Sequence, residues 1–516
     1  MIRTVLPALL LLTTLCNAQS SFQKLYITVN GSQTSSIKHT ADGGFVSSGG
    51  GSAAYWVMKA DASGNIQWAK NLSNAFRILS IRQTNDGGYA GCGTGSNGAG
   101  KNLALLVKMD PSGNIQWSKL YGDTASSSAA DLEQTSDGGY IMTGVIGSVL
   151  TAQDVYVIKT DSLGNQQWAN RYASSTPVAD VTSSVIQSNG AYYVSGNTQY
   201  SLSSIDALLI KIKSNGNLAW SYTFDVNGNR GFANEVLAAQ NGNLVMVGFD
   251  EEVSQNPDAT LARLDTSGNI LWAKKYSTNG PDYGFSLYEN QDQSIVFTGA
   301  SDSTSGVNSS RDVMLIKTDQ NGNMLWSRQF GGAGFDQPLH NCLDKTSDGG
   351  YIVQATTINS FSSNLAYSTY VIKTNANGNV ICNEVPNSFN VSSATFIRNS
   401  FALTRTSEGS AQNVSITPVA FASDTTLCFS TGIESHDLNS ETLSLYPNPA
   451  GNLIYITART IIRSAMIYSM DGKQISEEIV LNSTTGSLNT ELLPAGSYLL
   501  RAITTEGVIS HLFTKE

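Results

Sequence analysis

The chain has 516 residues, of which 41% are hydrophobic and only 14% charged, with a formal net charge of −10. That length exceeds one ordinary hydrophobic core and calls for several domains or one large repetitive one. The acidic balance repels phosphate backbones and excludes nucleic acid as a partner, while the wealth of Gly, Ser, Thr and Asn suits short strands and turns.

Residues 1–18, "MIRTVLPALLLLTTLCNA", read as a secretory signal peptide: Arg3, an apolar run from Val5 to Leu12, then small residues before Gln19. The run is shorter than the ~20 residues a spanning helix needs, and no later segment could span a bilayer. Leu15 stands before Cys16 where a lipoprotein signal has a small residue, which argues against lipidation. Export permits disulfides. Of the four later cysteines, Cys382 and Cys428 flank one segment and form the expected pair, whereas Cys92 and Cys342 lie in strand-like runs as buried thiols. No Cys or His spacing suits zinc, and no cofactor is expected.

A ten-residue phrase then recurs: "KADASGNIQW" from Lys59, "KMDPSGNIQW" from Lys108, "KTDSLGNQQW" from Lys159 and "KTDQNGNMLW" from Lys317. Counting looser copies, it ends at Trp68, Trp117, Trp168, Trp220, Trp272 and Trp326, and a seventh copy has Cys382 in the Trp place. Upstream of each lies a turn phrase, best preserved as Asp-Gly-Gly at Asp42, Asp86, Asp137 and Asp348. Four strand-like runs fill each unit; in the third they are "SAADLEQT", "GYIMTGVI", "DVYVIKTD" and "NQQWANRY". Four strands per repeat of about 50 residues mark a propeller blade. The expected fold is therefore all-β: a seven-bladed β-propeller of four-stranded blades over residues 19–384. Its closing strand is Phe22–Tyr26, whose "FQKLY" matches the W-x-K-x-Y that follows the repeated turn.

The repeated phrase reads as hardware rather than as seven ligand sites. Asn375 replaces the turn acid in one copy and Arg263 the lysine in another, losses a cation site would not tolerate. Its lysines are expected to cover apolar surface and pair with acids. Successive turns alternate between the two ends of the blades, so the Asp-Gly-Gly and Gly-Asn turns share one face and the variable loops share the other. Binding usually sits on variable loops carried by a rigid frame. The candidate ligand-face residues are Trp56, Tyr200, Asp250, Glu251, Asp282, Tyr283, Phe335, Asp336 and Tyr367, with Tyr55 and Glu252 beside them. His39, His340, His436 and His511 are scattered and form no catalytic signature, so no catalytic or metal residue is expected.

Residues 385–441 read as an appended segment and linker, and 442–516 as a separate small domain. The latter has short alternating runs broken by Asn-Pro, Asp-Gly and Pro-Ala-Gly, as a small sandwich does. Its motifs are Tyr446-Pro447-Asn448-Pro449, Asp471-Gly472-Lys473, Leu493-Pro494-Ala495-Gly496-Ser497-Tyr498 and Phe513-Thr514-Lys515. In that order they closely resemble the type A C-terminal sorting domain of the type IX secretion system of Bacteroidetes. The resemblance implies an immunoglobulin-like β-sandwich recognised by the secretion machinery, cleavage of the tail, and release or attachment of the rest at the cell surface. The propeller repeats resemble those of secreted Bacteroidetes proteins. They are also similar to the tryptophan-docking repeats of quinoprotein propellers, without that family's pocket residues. The expected function is a monomeric, secreted or surface-displayed binding protein for a glycan or protein. The alternative is an extracellular polysaccharide hydrolase or lyase with acids converging on the variable face.

Overall fold

The computed structural model describes residues 19–515 apart from loop segments, the longest being 28–32, 303–310, 359–366, 433–443 and 470–474. The signal-peptide reading of 1–18 lies outside the described residues. The chain divides into two compact units, Ser20–Phe429 and, beyond it, Ser430–Glu516.

The first unit is all-β, made of five antiparallel five-stranded sheets and one ten-stranded sheet in which a parallel bridge between Arg311 and Phe335 joins two antiparallel groups, all consistent with propeller blades. Numbered in chain order, blade 1 holds Gln33–His39, Phe45–Gly50, Tyr55–Ala60 and Ile66–Leu72. Blades 2 to 6 begin at Phe76, Ser127, Ala179, Arg230 and Asp282. Blade 7 takes Phe335–Lys345, Tyr351–Ile358 and Ser368–Lys373 from late in the chain and Gln19–Ile27 from its start. Phe22 pairs with Lys373 and Tyr26 with Thr369, which joins the two ends of the ring. The first strands of successive blades touch in order, and that of blade 1 touches that of blade 7. Third strands such as "NLALLVKM" are buried along nearly their whole length because neighbouring blades cover both faces. Fourth strands such as "IQWSKLY" alternate, since one face meets solvent.

The repeated turn is a clasp between blades. Asp161 accepts from the amides of Leu163 and Asn165 at 2.9 and 2.8 Å, and Gly164 takes φ 73°. A Cβ on Gly164 would lie 2.6 Å from the Trp117 ring of the preceding blade. Tyr121 donates its hydroxyl to the Gly164 carbonyl at 2.7 Å, and Lys119 reaches Asn165 Oδ1 at 2.7 Å. At the seam Phe22 packs on Gly64, Tyr26 donates to its carbonyl at 2.6 Å and Lys24 reaches Asn65 at 3.0 Å. The phrase thus fixes one blade to the next with a ring on the glycine and, where the tyrosine is kept at Tyr26, Tyr121, Tyr172 and Tyr276, with a hydroxyl on the glycine carbonyl. Burying each large ring is worth roughly 1.5–3 kcal/mol.

Most of the segment expected to be appended, up to Phe429, belongs to the first unit. Residues 384–432 run around the rim and lend each blade a further edge strand: Glu384–Val385 to blade 6, Asn390–Ser393 to blade 5, Phe396–Ser400 to blade 4 and Leu403–Ser407 to blade 3. Ala411–Asn413 then joins blade 2, Val419–Ala420 blade 1, and Ser423–Gly432 pairs with the N-terminal strand of blade 7. Ala394, Phe401 and Glu408 donate their amides to Ala273, Ser221 and Ala169, so seven belt residues serve each blade here. The belt pairs the edge that the fourth strands would otherwise leave open. Cys382, and with it the Cys382–Cys428 disulfide, lies outside the described residues, while Cys92 and Cys342 are buried free thiols.

The second unit is one antiparallel sheet of Ser444–Tyr446, Leu453–Ser469, Ile479–Asn489, Gly496–Thr504 and Val508–Lys515. The 17-residue strand pairs with three others and lets the sheet wrap a core that includes Ile456, Ile467, Leu488, Leu500 and Phe513. The Tyr446–Pro449 segment is tied to the last strand, because Asn448 Oδ1 accepts from the Thr514 amide at 2.9 Å. Tyr498 donates to the Pro494 carbonyl at 2.6 Å, which holds the turn before Gly496, and Lys515 bridges to Ala450. Asp471 and Gly472 lie outside the described residues.

Candidate functional site

The sequence-selected residues separate into three groups. Trp56 is 2% exposed and packs with Phe22, Tyr26 and Phe45 inside the ring, over Gly49, whose missing Cβ leaves room for the indole. It is a core residue and offers no surface for a ligand. Asp250, Asp282 and Asp336 are each 0% exposed and lie beneath the surface. Glu251, Tyr283 and Phe335 are partly exposed at strand ends on the variable face, and Tyr367, just before Ser368–Lys373, is 43% exposed. Tyr200 has its backbone in a strand, but its side chain lies outside the described residues.

Glu251, Tyr283 and Phe335 belong to one patch on blades 5, 6 and 7. Phe232 stacks on Phe249 with centroids 4.2 Å apart, and Phe249 meets Tyr283 edge-on at 5.0 Å. The Arg311 guanidinium lies 4.5 Å from the Tyr283 centroid and 5.1 Å from that of Phe335. It also binds Asp302 at 3.0 Å and Gln337 at 3.2 Å. Arg230 covers Phe232 and pairs with Glu251. These residues open or close the first three strands at the variable end of each blade, so the topology gathers them. Cation–π contacts, each worth ~0.5–2 kcal/mol, hold the guanidinium planes in place with donors still unspent. The sequence reading missed Arg230, Phe232, Phe249, Asp302 and Arg311. A recurring charged or aromatic residue at each strand end beside a variable loop was the available signal.

Three joints, between blades 3 and 4, 5 and 6, and 6 and 7, carry buried aspartates from facing strands: Asp154 with Asp180, Asp258 with Asp282, and Asp312 with Asp336. Burial, reinforced by the facing Asp154, pushes Asp180 up to about 7. Burial and Asp258 push Asp282 up to about 6, against hydrogen bonds from Thr278. Burial and Asp336 push Asp312 up to about 7. Burial lowers His340 to about 4, so this imidazole is neutral at physiological pH.

On the opposite face the charges are mutually satisfied. Lys59, Lys108, Lys159 and Lys373 are buried and pair with Asp42, Asp86, Asp137 and Asp348 at 2.7–2.8 Å. Near the axis Asp131 accepts from Ser80 at 2.8 Å and from the Val185 amide at 3.0 Å, tying blades 2, 3 and 4. Among the described residues no three His, Cys, Asp or Glu side chains gather into a metal-binding set.

Residues 444–515 match the family described as "Secretion system C-terminal sorting domain". The tail is a sorting domain. It is the type IX form that the Tyr446–Pro449 and Gly496–Tyr498 motifs resemble. The sorting domain marks the chain for secretion or attachment at the cell surface, and its recognition surface is for the secretion machinery. Comparison with curated proteins finds no match. Among solved structures the chain is similar to a catalytically inactive virginiamycin B lyase from Staphylococcus aureus, at 12% identity and TM-score 0.43, over 69% of this chain and 99% of that one. It is similar to a subtype N11 neuraminidase-like protein of a flat-faced bat influenza A virus, at 13% identity and TM-score 0.35, over 59% and 89%. It is also similar to an endo-arabinase from Bacteroides thetaiotaomicron, at 11% identity and TM-score 0.25, over 47% and 92%. Likenesses at this level bear on no activity of the present chain.

Proposed function

We propose that the protein is a seven-bladed β-propeller of four-stranded blades, carried by a small immunoglobulin-like sorting domain, and that it binds a glycan or protein ligand outside the cell. The reading rests on the patch of Arg230, Phe232, Phe249, Tyr283, Arg311 and Phe335, where aromatic rings orient half-exposed guanidinium groups. Such groups recognise hydroxyl- and carboxylate-bearing ligands through paired donors. The half-exposed acids there, Glu251 and Asp302, are paired with Arg230 and Arg311, which favours binding over acid catalysis. Ligand binding by the mature chain should be measured on a polysaccharide array and on a protein panel. Arg311→Ala should weaken any ligand found by about tenfold or more; undiminished binding by that variant would place the ligand elsewhere.

The second reading, a polysaccharide hydrolase or lyase, is favoured by the raised carboxyls of Asp180, Asp282 and Asp312, since an acid that keeps its proton near neutrality can donate it. Release of reducing or unsaturated sugar ends that disappears in Asp282→Asn would support it. Deleting residues 442–516 should retain the protein in the periplasm; normal surface delivery would sink the sorting role.

A further inference from the structure

The three acidic joints are equivalent positions of one repeat, and they differ in one residue. The third position after the repeated tryptophan is Arg171 in blade 3, Lys275 in blade 5 and Gln329 in blade 6. Arg171 donates Nε to Asp154 Oδ2 at 2.7 Å, and Lys275 pairs with Asp258 at 2.6 Å. Each of those joints therefore holds a positive side chain against its strand-three aspartate. In blade 6 the same position is neutral: Gln329 donates Nε2 to Asp312 Oδ2 at 3.0 Å and to the Ser301 carbonyl at 3.4 Å. Both acids are nevertheless kept, with Asp312 4% and Asp336 0% exposed.

Asp312 Oδ1 is buried without a hydrogen-bond partner. The groups that bear on Asp312 are the carboxylates of Asp336 and Asp302 and the Gln329 amide, and none of them is positive. Arg311, next in the chain, points away into the patch and is engaged by Asp302. Asp312 Oδ1 and Asp336 Oδ2 also converge on Gly331: a Cβ there would lie 2.0 Å from the first and 2.8 Å from the second. A glycine at this point keeps open the space on which the two oxygens converge.

We infer that the joint between blades 6 and 7 is a site for a hard divalent cation of the calcium class, held by Asp312 and Asp336. The ion does in this joint what Arg171 and Lys275 do in the other two. The donors are all oxygen, which suits calcium rather than a soft transition metal. With two carboxylates, the other positions fall to neutral oxygens: the Ser301 carbonyl, water, and Gln329 Oε1 after a half-turn of its amide. Two charges and several neutral ligands place the affinity with the weak extracellular sites, roughly 0.1–1 mM. That strength suits a protein exported to calcium-bearing surroundings.

The test is thermal unfolding and calorimetric titration of the mature full-length protein, freed of metal with a chelator, against calcium chloride and magnesium chloride. Calcium should raise the unfolding midpoint saturably, and magnesium much less. Asp312→Asn should weaken calcium binding by about tenfold or more. Gln329→Arg, which copies blade 3, should lose the calcium response while the metal-free variant is as stable as calcium-loaded wild type. Should Asp312→Asn not fold, Gln329→Arg alone carries the test. A wild-type protein indifferent to calcium overturns the inference. So does a midpoint that calcium leaves alone but that falls as pH rises through neutrality, which would make the joint a proton-sharing pair. A calcium response that survives in Gln329→Arg overturns it as well.

Discussion

The two faces of the ring spend their charges differently. On the short-turn face every preserved Asp-Gly-Gly acid faces a buried lysine of its own blade, and Asp161 and its equivalents spend their oxygens on turn amides. On the variable face acids face acids across blade joints, and arginines lie on rings from neighbouring blades. Residues that repeat in every blade and satisfy one another carry the fold. Residues that depart from the repeat, such as Gln329 and Arg311, are the ones on which the two proposed sites rest.

The largest expected effect tests the first half of that contrast. Gly164→Val places a branched side chain at φ 73° and drives it into Trp117, and should cost about 3–4 kcal/mol in chemical denaturation. A cost below that of an ordinary surface change would mean the turn is not a clasp. Next, Asp137→Asn leaves the Lys159 ammonium buried with the Thr160 carbonyl at 2.8 Å as its remaining strong acceptor. The loss should be about 2 kcal/mol at pH 7.

On the other face the sign reverses. Asp180 is held up at about 7 against an ordinary 3.8. Between those values the folded protein keeps a proton that the unfolded chain has released, so stability falls as pH rises through this window and stays low above it. Asp180→Asn should therefore stabilise the protein by about 1–2 kcal/mol at pH 8 and change little at pH 4. Equal effects at both values would remove the acid–acid joint. The smallest stability effect belongs to Arg311→Ala, at less than about 1 kcal/mol, because its partner Asp302 can turn to solvent. Its effect should instead appear in ligand affinity, and a large loss of stability would make the patch structural.

The blades were legible because their signals are strong and local: a glycine that must turn left-handed, an acid two residues before its amide partner, a tryptophan at fixed distance. The closing strand was legible for the same reason, since Phe22, Lys24 and Tyr26 keep the register of Trp117, Lys119 and Tyr121. The belt was not. Its unit is only seven residues, its strands are mostly exposed and polar, and its order around the ring is the reverse of the chain's. Phe389, Phe396 and Leu403 do recur at that spacing, with Phe389 buried against blade 5, yet a seven-residue apolar repeat reads more readily as helix than as seven separate edges. Trp56 misled because its neighbours suggested a loop, whereas Gly49 across the ladder makes its cavity. The patch of blades 5 to 7 was half legible. Single aromatics beside variable loops could be named, but which of them meet depends on bringing together strands about 50 residues apart.

The belt ends beside the strand with which the described chain begins: Ser423–Gly432 pairs with Gln19–Ile27. The earliest and latest described parts of the ring are therefore neighbours. A chain cut before Ser423 lacks both the last edge strand and the sorting domain, whereas one cut between Gly432 and Ser444 lacks the sorting domain alone. Any removal of the tail would have a matching limit, because a cut upstream of Gly432 would take away part of the strand that covers Gln19–Ile27.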